Sequence, residues 1–186
     1  MPAAGPITYV SQMLRNAIFV RMQDKAIGLN AQIQLVAPVF KIRPFRIDFS
    51  ESSKNYFMGQ FSLEEIQAVT PVTLDPLVLI WYLGGRHNDV GLVQKSAKFA
   101  GTIDVGVEYY CTWPRPSISL GETWADFLEE VTLQMLTNTD NIGQPWPPQA
   151  VCQENYTIQP GVPYLGGLGW TMNIRIMLQF GVRVIR

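Results

Sequence analysis

GWTMNIRIMLQFGVRVIR (Gly169–Arg186) is the stretch whose reading decides the fold. In steps of two, Trp170, Met172, Ile174, Ile176, Leu178, Phe180, Val182 and Val184 share one face. Thr171, Asn173, Arg175, Met177, Gln179, Gly181, Arg183 and Ile185 share the other. Strand side chains alternate between faces, so this spacing predicts a long strand with one buried side. A slip of one residue would expose the whole apolar set, which specifies the register strongly. The apolar face is expected to be the bed for helices. The other face, through Arg175, Gln179 and Arg183, is expected to look toward a partner or a central channel.

Upstream, Val151–Gln159 reads as another strand, joined to the last by the turns Pro160–Pro163 and Gly166–Gly169. Residues 139–168 as a whole are rich in Pro and Gly. Gly121–Asn138 reads as a helix, because Trp124, Phe127, Leu128, Val131 and Met135 recur at helical steps. Glu122 and Asp126 suit the positive end of its dipole. Glu129 and Glu130 have no Lys or Arg four residues on and are expected to find partners elsewhere. Phe99–Cys111 alternates cleanly, and Leu77–Leu83 reads as a buried strand closed by Gly84 and Gly85, with 85–97 a polar connection. The first helix is expected from a cap at Thr8 to about Ile27, on the stripe Val10, Leu14, Ala17, Ile18 and Met22. Arg15 and Arg21 lie off that stripe, and Gly28 and Asn30 are its stop signals.

Residues 31–76 read as an insertion or extended arm. Ile33, Leu35 and Ala37 alternate, Val39–Phe49 looks extended around Pro44, and Ser50–Asn55 is a polar turn. Ser62–Glu65 fits a capping box for a short helix to Val69. The expected whole is a single α+β domain over 1–186. It has a roughly four-stranded, mainly antiparallel sheet with two helices on one face and inserted loops or short strands.

Net charge is −1, so no global basic field advertises nucleic-acid binding. Charge is segregated instead. Residues 121–140 carry Glu122, Asp126, Glu129, Glu130 and Asp140 with no Lys or Arg, and residues 15–46 carry six basic side chains against Asp24. Such blocks can pair within a chain or between copies. The basic run Phe40–Arg46 reads as an edge strand kept from aggregating by its charges, with nucleic-acid contact as the alternative. Cys111 and Cys152 are far apart, which fits a reducing compartment better than a disulfide framework. No signal peptide is expected from the first residues. The longest strictly apolar run, Leu77–Leu83, is too short to span a bilayer.

Catalysis has little to stand on. His87, the single histidine, is expected in a polar loop, and Cys111 on an apolar strand face reads as a buried, inert thiol. Asp104 and Glu108 share a strand face, but four residues separate their α-carbons by about 13–14 Å. Glycosidase carboxyl pairs sit about 5–9.5 Å apart, so a solvated face is the plainer reading. One His and two scattered Cys do not make a metal site. No catalytic residue, cofactor or metal is expected. Trp113 and Trp146, in Pro-rich surroundings, fit protein contacts or a cover over the chain's own core.

The stretches Ile7–Ile27, Phe99–Trp113, Glu122–Leu136 and Trp170–Ile185 resemble, in order and character, the tail-terminator proteins of long-tailed bacteriophages. Residues 31–76 and 139–168 lie outside that likeness. The resemblance implies a structural virion protein, made in the host cytoplasm. It would form a ring, usually a hexamer, that ends the tail tube and joins it to the head connector. DNA would pass through without specific binding, and no membrane would be involved. Arg15, Arg21, Glu129 and Glu130 become the expected inter-subunit contacts. A head-completion adaptor of the same neck is the nearest alternative. A small-ligand-binding or hydrolytic α+β domain using Asp104, Glu108 and His87 is the more distant one.

Overall fold

The computed structural model describes residues 6–50, 55–59, 65, 77–88, 97–113, 120–136, 150–165 and 169–185. Its centre is the sixteen-residue strand β6 (Trp170–Ile185). On one side lies β3 (Ala97–Trp113), antiparallel to β6 from Ala97 opposite Ile185 to Trp113 opposite Trp170. On the other lies β4 (Ala150–Pro160), also antiparallel. β2 (Leu77–Asn88) pairs antiparallel with β3, and the three-residue β1 (Tyr56–Met58) runs parallel to β2. The order is β1-β2-β3-β6-β4, with β5 (Tyr164–Leu165) as a short flap on β6. The fold is α+β as expected, but the sheet is mixed and larger than four strands.

Alternation does what the sequence asks of it. From β3, Ile103, Val105, Val107, Tyr109 and Cys111 are buried on one face. They are joined by Met172, Ile174, Ile176, Leu178 and Phe180 from β6, and Leu79 and Trp81 from β2. Each fully buried large apolar side chain contributes about 1.5–3 kcal/mol of transfer free energy.

The described residues hold two long helices and a shorter one rather than two. α1 (Pro6–Gln23) buries Leu14, Ile18 and Met22. α3 (Leu120–Leu136) buries Trp124, Phe127, Leu128, Val131 and Met135, the stripe read from the sequence. The addition is α2 (Leu29–Val36). It overturns the alternating reading of Ile33, Leu35 and Ala37. Leu29, Ile33, Val36 and Ala37 are buried at helical spacing while Leu35 is 70% exposed, so the true period is 3.6. α1 stops four residues before Ile27. Asp24 Oδ1 accepts from the amides of Ala26 and Ile27, and the Gly28 amide donates to Asp24 O. A Cβ at Gly28 would collide with the carbonyls of Arg21, Met22 and Asp24, so the tight corner between α1 and α2 needs glycine there. Asn30 is not a stop signal; it lies inside α2.

Residues 42–49 form an extended arm outside the sheet, not an edge strand. Asn30 clamps it, donating through Nδ2 to Ile47 O and accepting at Oδ1 from the Ile47 amide, both at 2.8 Å. Gln34 Nε2 donates to Phe45 O. The Phe45 ring packs on Trp124 and Phe127 of α3. β2 also runs past Gly84 and Gly85 to Asn88. The register shifts between Leu83 and Arg86, so the glycines mark a bulge rather than an end. His87 therefore lies on a strand, opposite Thr102, and not in a loop. The expected helix at Ser62–Val69 lies outside the described residues except for Glu65, and Trp146 lies outside them too.

Candidate functional site

The face of the sheet turned away from the helices carries the polar groups. Strand register places Glu108 opposite Arg175, Tyr110 opposite Asn173, and Asp104 opposite Gln179. Glu108 is only 4% exposed, which corrects the solvated-face reading for this residue. A buried carboxylate must be bonded, and this one is. Its Oε1 accepts from Tyr110 Oη at 3.1 Å and Asn173 Nδ2 at 3.0 Å. Arg175 Nη2 reaches both carboxylate oxygens at 3.3 and 3.2 Å. One guanidinium nitrogen serves both oxygens, so the pair is not the two-pronged Arg–carboxylate fork. Burial works against the Arg175 cation and Glu108 for it, and the balance raises its pKa. Asp104 Oδ1 accepts from Gln179 Nε2 at 3.2 Å. The Tyr82 ring lies over Gly106, where a Cβ would run into it. Burial raises the Tyr82 phenol, with Arg175 opposing and Glu108 adding to the shift.

On the helix face, buried polar groups act as fasteners. Thr132 Oγ1 donates to Leu128 O at 2.7 Å, which spends its single proton, so Tyr109 Oη is the donor in their 2.6 Å bond. Burial pushes the Tyr109 phenol upward. Burial also pushes the Cys111 thiol up to about 12, and Sγ donates to Met172 O. Such a thiol is a packing group, as its strand position implied. Trp113 is buried against the chain's own core.

Among the described residues, hollows flank the sheet. One of about 550 Å³ opens between the start of α3 and the turn after β4, lined by Ala125, Pro160, Pro163 and Met172 with Glu122 and Asp126 beside them. Another of about 360 Å³ touches Asp104, Thr157, Met177 and Gln179. Among the described residues no three His, Cys, Asp or Glu side chains gather as metal ligands.

The contact residues named from the sequence fall in different settings. Arg15 is exposed on α1. Arg21, three residues above Ile18, is buried at 6% exposure; burial lowers its pKa, and Asp24 pulls it back up. Glu129 accepts from Tyr156 Oη of β4 at 2.7 Å, which raises the Tyr156 phenol. Glu130 accepts from Gln134 Nε2 at 2.8 Å. Both acids thus find neutral donors within the chain. Arg175 and Gln179 sit on the outer face, bonded across to β3, and Arg183 lies in β6 opposite Ala100. The Glu108 cluster was missed as a unit because its members come from strands 65 to 67 residues apart in sequence. The period-2 spacing of Tyr110 and Glu108, and of Asn173 and Arg175, was the signal available. Among the described residues no helix is long and apolar enough to cross a membrane. Neither a protein-family model nor a curated protein matches the chain.

Proposed function

We propose that this chain is a structural neck protein of a long-tailed phage, a tail terminator that assembles into a ring between tail tube and head connector. The observation that carries the reading is the separation of surface charge onto different elements. Exposed cations lie on α1 (Arg15), in the turns on either side of α2 (Lys25, Lys41) and on the arm (Arg43, Arg46, with Asp48 as its exposed acid), and the exposed acids Glu122 and Asp126 lie on α3. Two unlike, complementary patches favour head-to-tail contact, and head-to-tail contact with a closing rotation generates a ring. Arg15 stands as a contact residue. Arg21, Glu129 and Glu130 support the subunit itself, because one is buried and the others are bonded within it. The polar outer face of β3 and β6, including Arg175, Gln179 and Arg183, is the side assigned to a partner or channel.

Electron microscopy of the purified protein, alone and mixed with tail tubes, tests this. The expected image is a ring with a hole as wide as duplex DNA, seated at tube ends. Rings that bind only head connectors would assign the protein to the adaptor role. Particles with no ring and no tube binding would sink the proposal.

A further inference from the structure

The ring needs two surfaces that fit one another, and the molecule offers a matched pair. The first is the turn after α2. Its Lys41 amide donates to Pro38 O at 3.1 Å and its Ile42 amide to Ala37 O at 2.9 Å. This double-bonded helix end calls for a left-handed residue just before the last, a place usually held by glycine. Lys41 holds it here, at φ 58°. A lysine in that conformation is less favourable than glycine, because its Cβ crowds the backbone. The turn presents Val39, 77% exposed, beside the exposed cations Lys41 and Arg43. Neither cation makes a side-chain hydrogen bond or ion pair among the described residues.

The second surface is the 550 Å³ hollow, with its apolar floor of Ala125, Pro160, Pro163 and Met172. Glu122 and Asp126 at its rim are exposed, and among the described residues neither has a side-chain partner. An apolar knob flanked by cations complements an apolar hollow flanked by acids. The two cannot meet within one chain. Phe40 packs on Phe127, Phe45 packs on Trp124 and Phe127, and Asn30 clamps Ile47, which fixes the arm to one flank of α3. At about 100° per residue, Ala125 and Asp126 turn to the other flank.

We propose that the Ala37–Ile42 turn of one copy docks in the hollow of the next, Val39 entering the apolar floor while Lys41 and Arg43 face Glu122 and Asp126. The inference rests on the self-assembly proposed above and names its contact.

Sedimentation velocity of the whole chain, with circular dichroism to confirm folding, tests it with Lys41→Glu/Arg43→Glu, Glu122→Lys/Asp126→Lys, and the four changes combined. Each reversal alone is expected to weaken association at least about tenfold, and the combined swap to recover it to within about threefold. Lys41→Gly is expected to weaken association while raising the unfolding midpoint, because the backbone relaxes as the cation is lost. A wild-type chain that assembles with no sensitivity to the reversals, or a swap that recovers nothing, overturns this contact and leaves self-assembly standing. A wild-type chain that stays monomeric overturns both. Should a reversed chain misfold, Lys41→Gly and Val39→Ser decide alone, and unchanged association in both overturns the contact.

Discussion

The Glu108 carboxyl lies under cover, and its neighbours are arranged to bond it. Tyr110, Asn173 and Arg175 supply the donors that water supplies elsewhere. Glu108→Gln leaves the half-exposed Arg175 without its counter-ion and replaces an acceptor oxygen with a donor. A loss of about 1–3 kcal/mol is expected in urea unfolding. Arg175→Met should cost less when added to Glu108→Gln than alone, since the two share one interaction. Cys111 and Tyr109, both buried, make stability fall in alkali. Both titrate higher when folded than when unfolded. Their contribution is fully present below the unfolded thiol value of about 8.5 and is lost as pH rises toward the folded value. Unfolding free energy should therefore fall above about pH 8.5, and less steeply in Cys111→Ala. Cys111 was legible as a buried thiol from its strand position alone. Glu108 was not, because spacing along β3 gives its face but not the strand that covers its charge.

Elements with a long, single period were legible, and those built from two turns or from clamps were not. β6, β3 and α3 repeat their apolar pattern over sixteen or seventeen residues, so each has one consistent reading. α2 has eight residues, and Ile33, Leu35 and Ala37 fit an alternation until Leu35 is found pointing outward. The bulge at Gly84 and Gly85 looks like an end in sequence because glycine serves both purposes. In the arm after α2, Phe45, Ile47 and Phe49 alternate with Arg46 and Asp48, yet the segment stands outside the sheet, after Pro44. It is held by Asn30, Gln34 and the Phe45 ring, contacts that no local rule announces. Phe45→Ala is expected to cost about 1–3 kcal/mol, below the range for a fully buried ring because Phe45 is half-exposed. Limited proteolysis should then cut first between residues 40 and 50.

At the scale of the molecule, the charge blocks visible in the sequence resolve into two kinds. Glu129 and Glu130 are absorbed within the chain, while Lys41, Arg43, Glu122 and Asp126 face outward on opposite flanks of α3. The sign of each block is readable from composition, and only packing separates the inward acids from the outward ones. Contacts between exposed charges weaken with salt, because the screening length falls from about 10 Å at 0.1 M to about 3 Å at 1 M. Assembly is expected to loosen across that range while the folded subunit persists. Copies of this chain are proposed to close into a ring, and their mass in solution tests that most directly. Native mass spectrometry or sedimentation at low salt and high protein concentration should show one discrete oligomer, with little material between it and the monomer. Monomer alone at every concentration would rule the ring out.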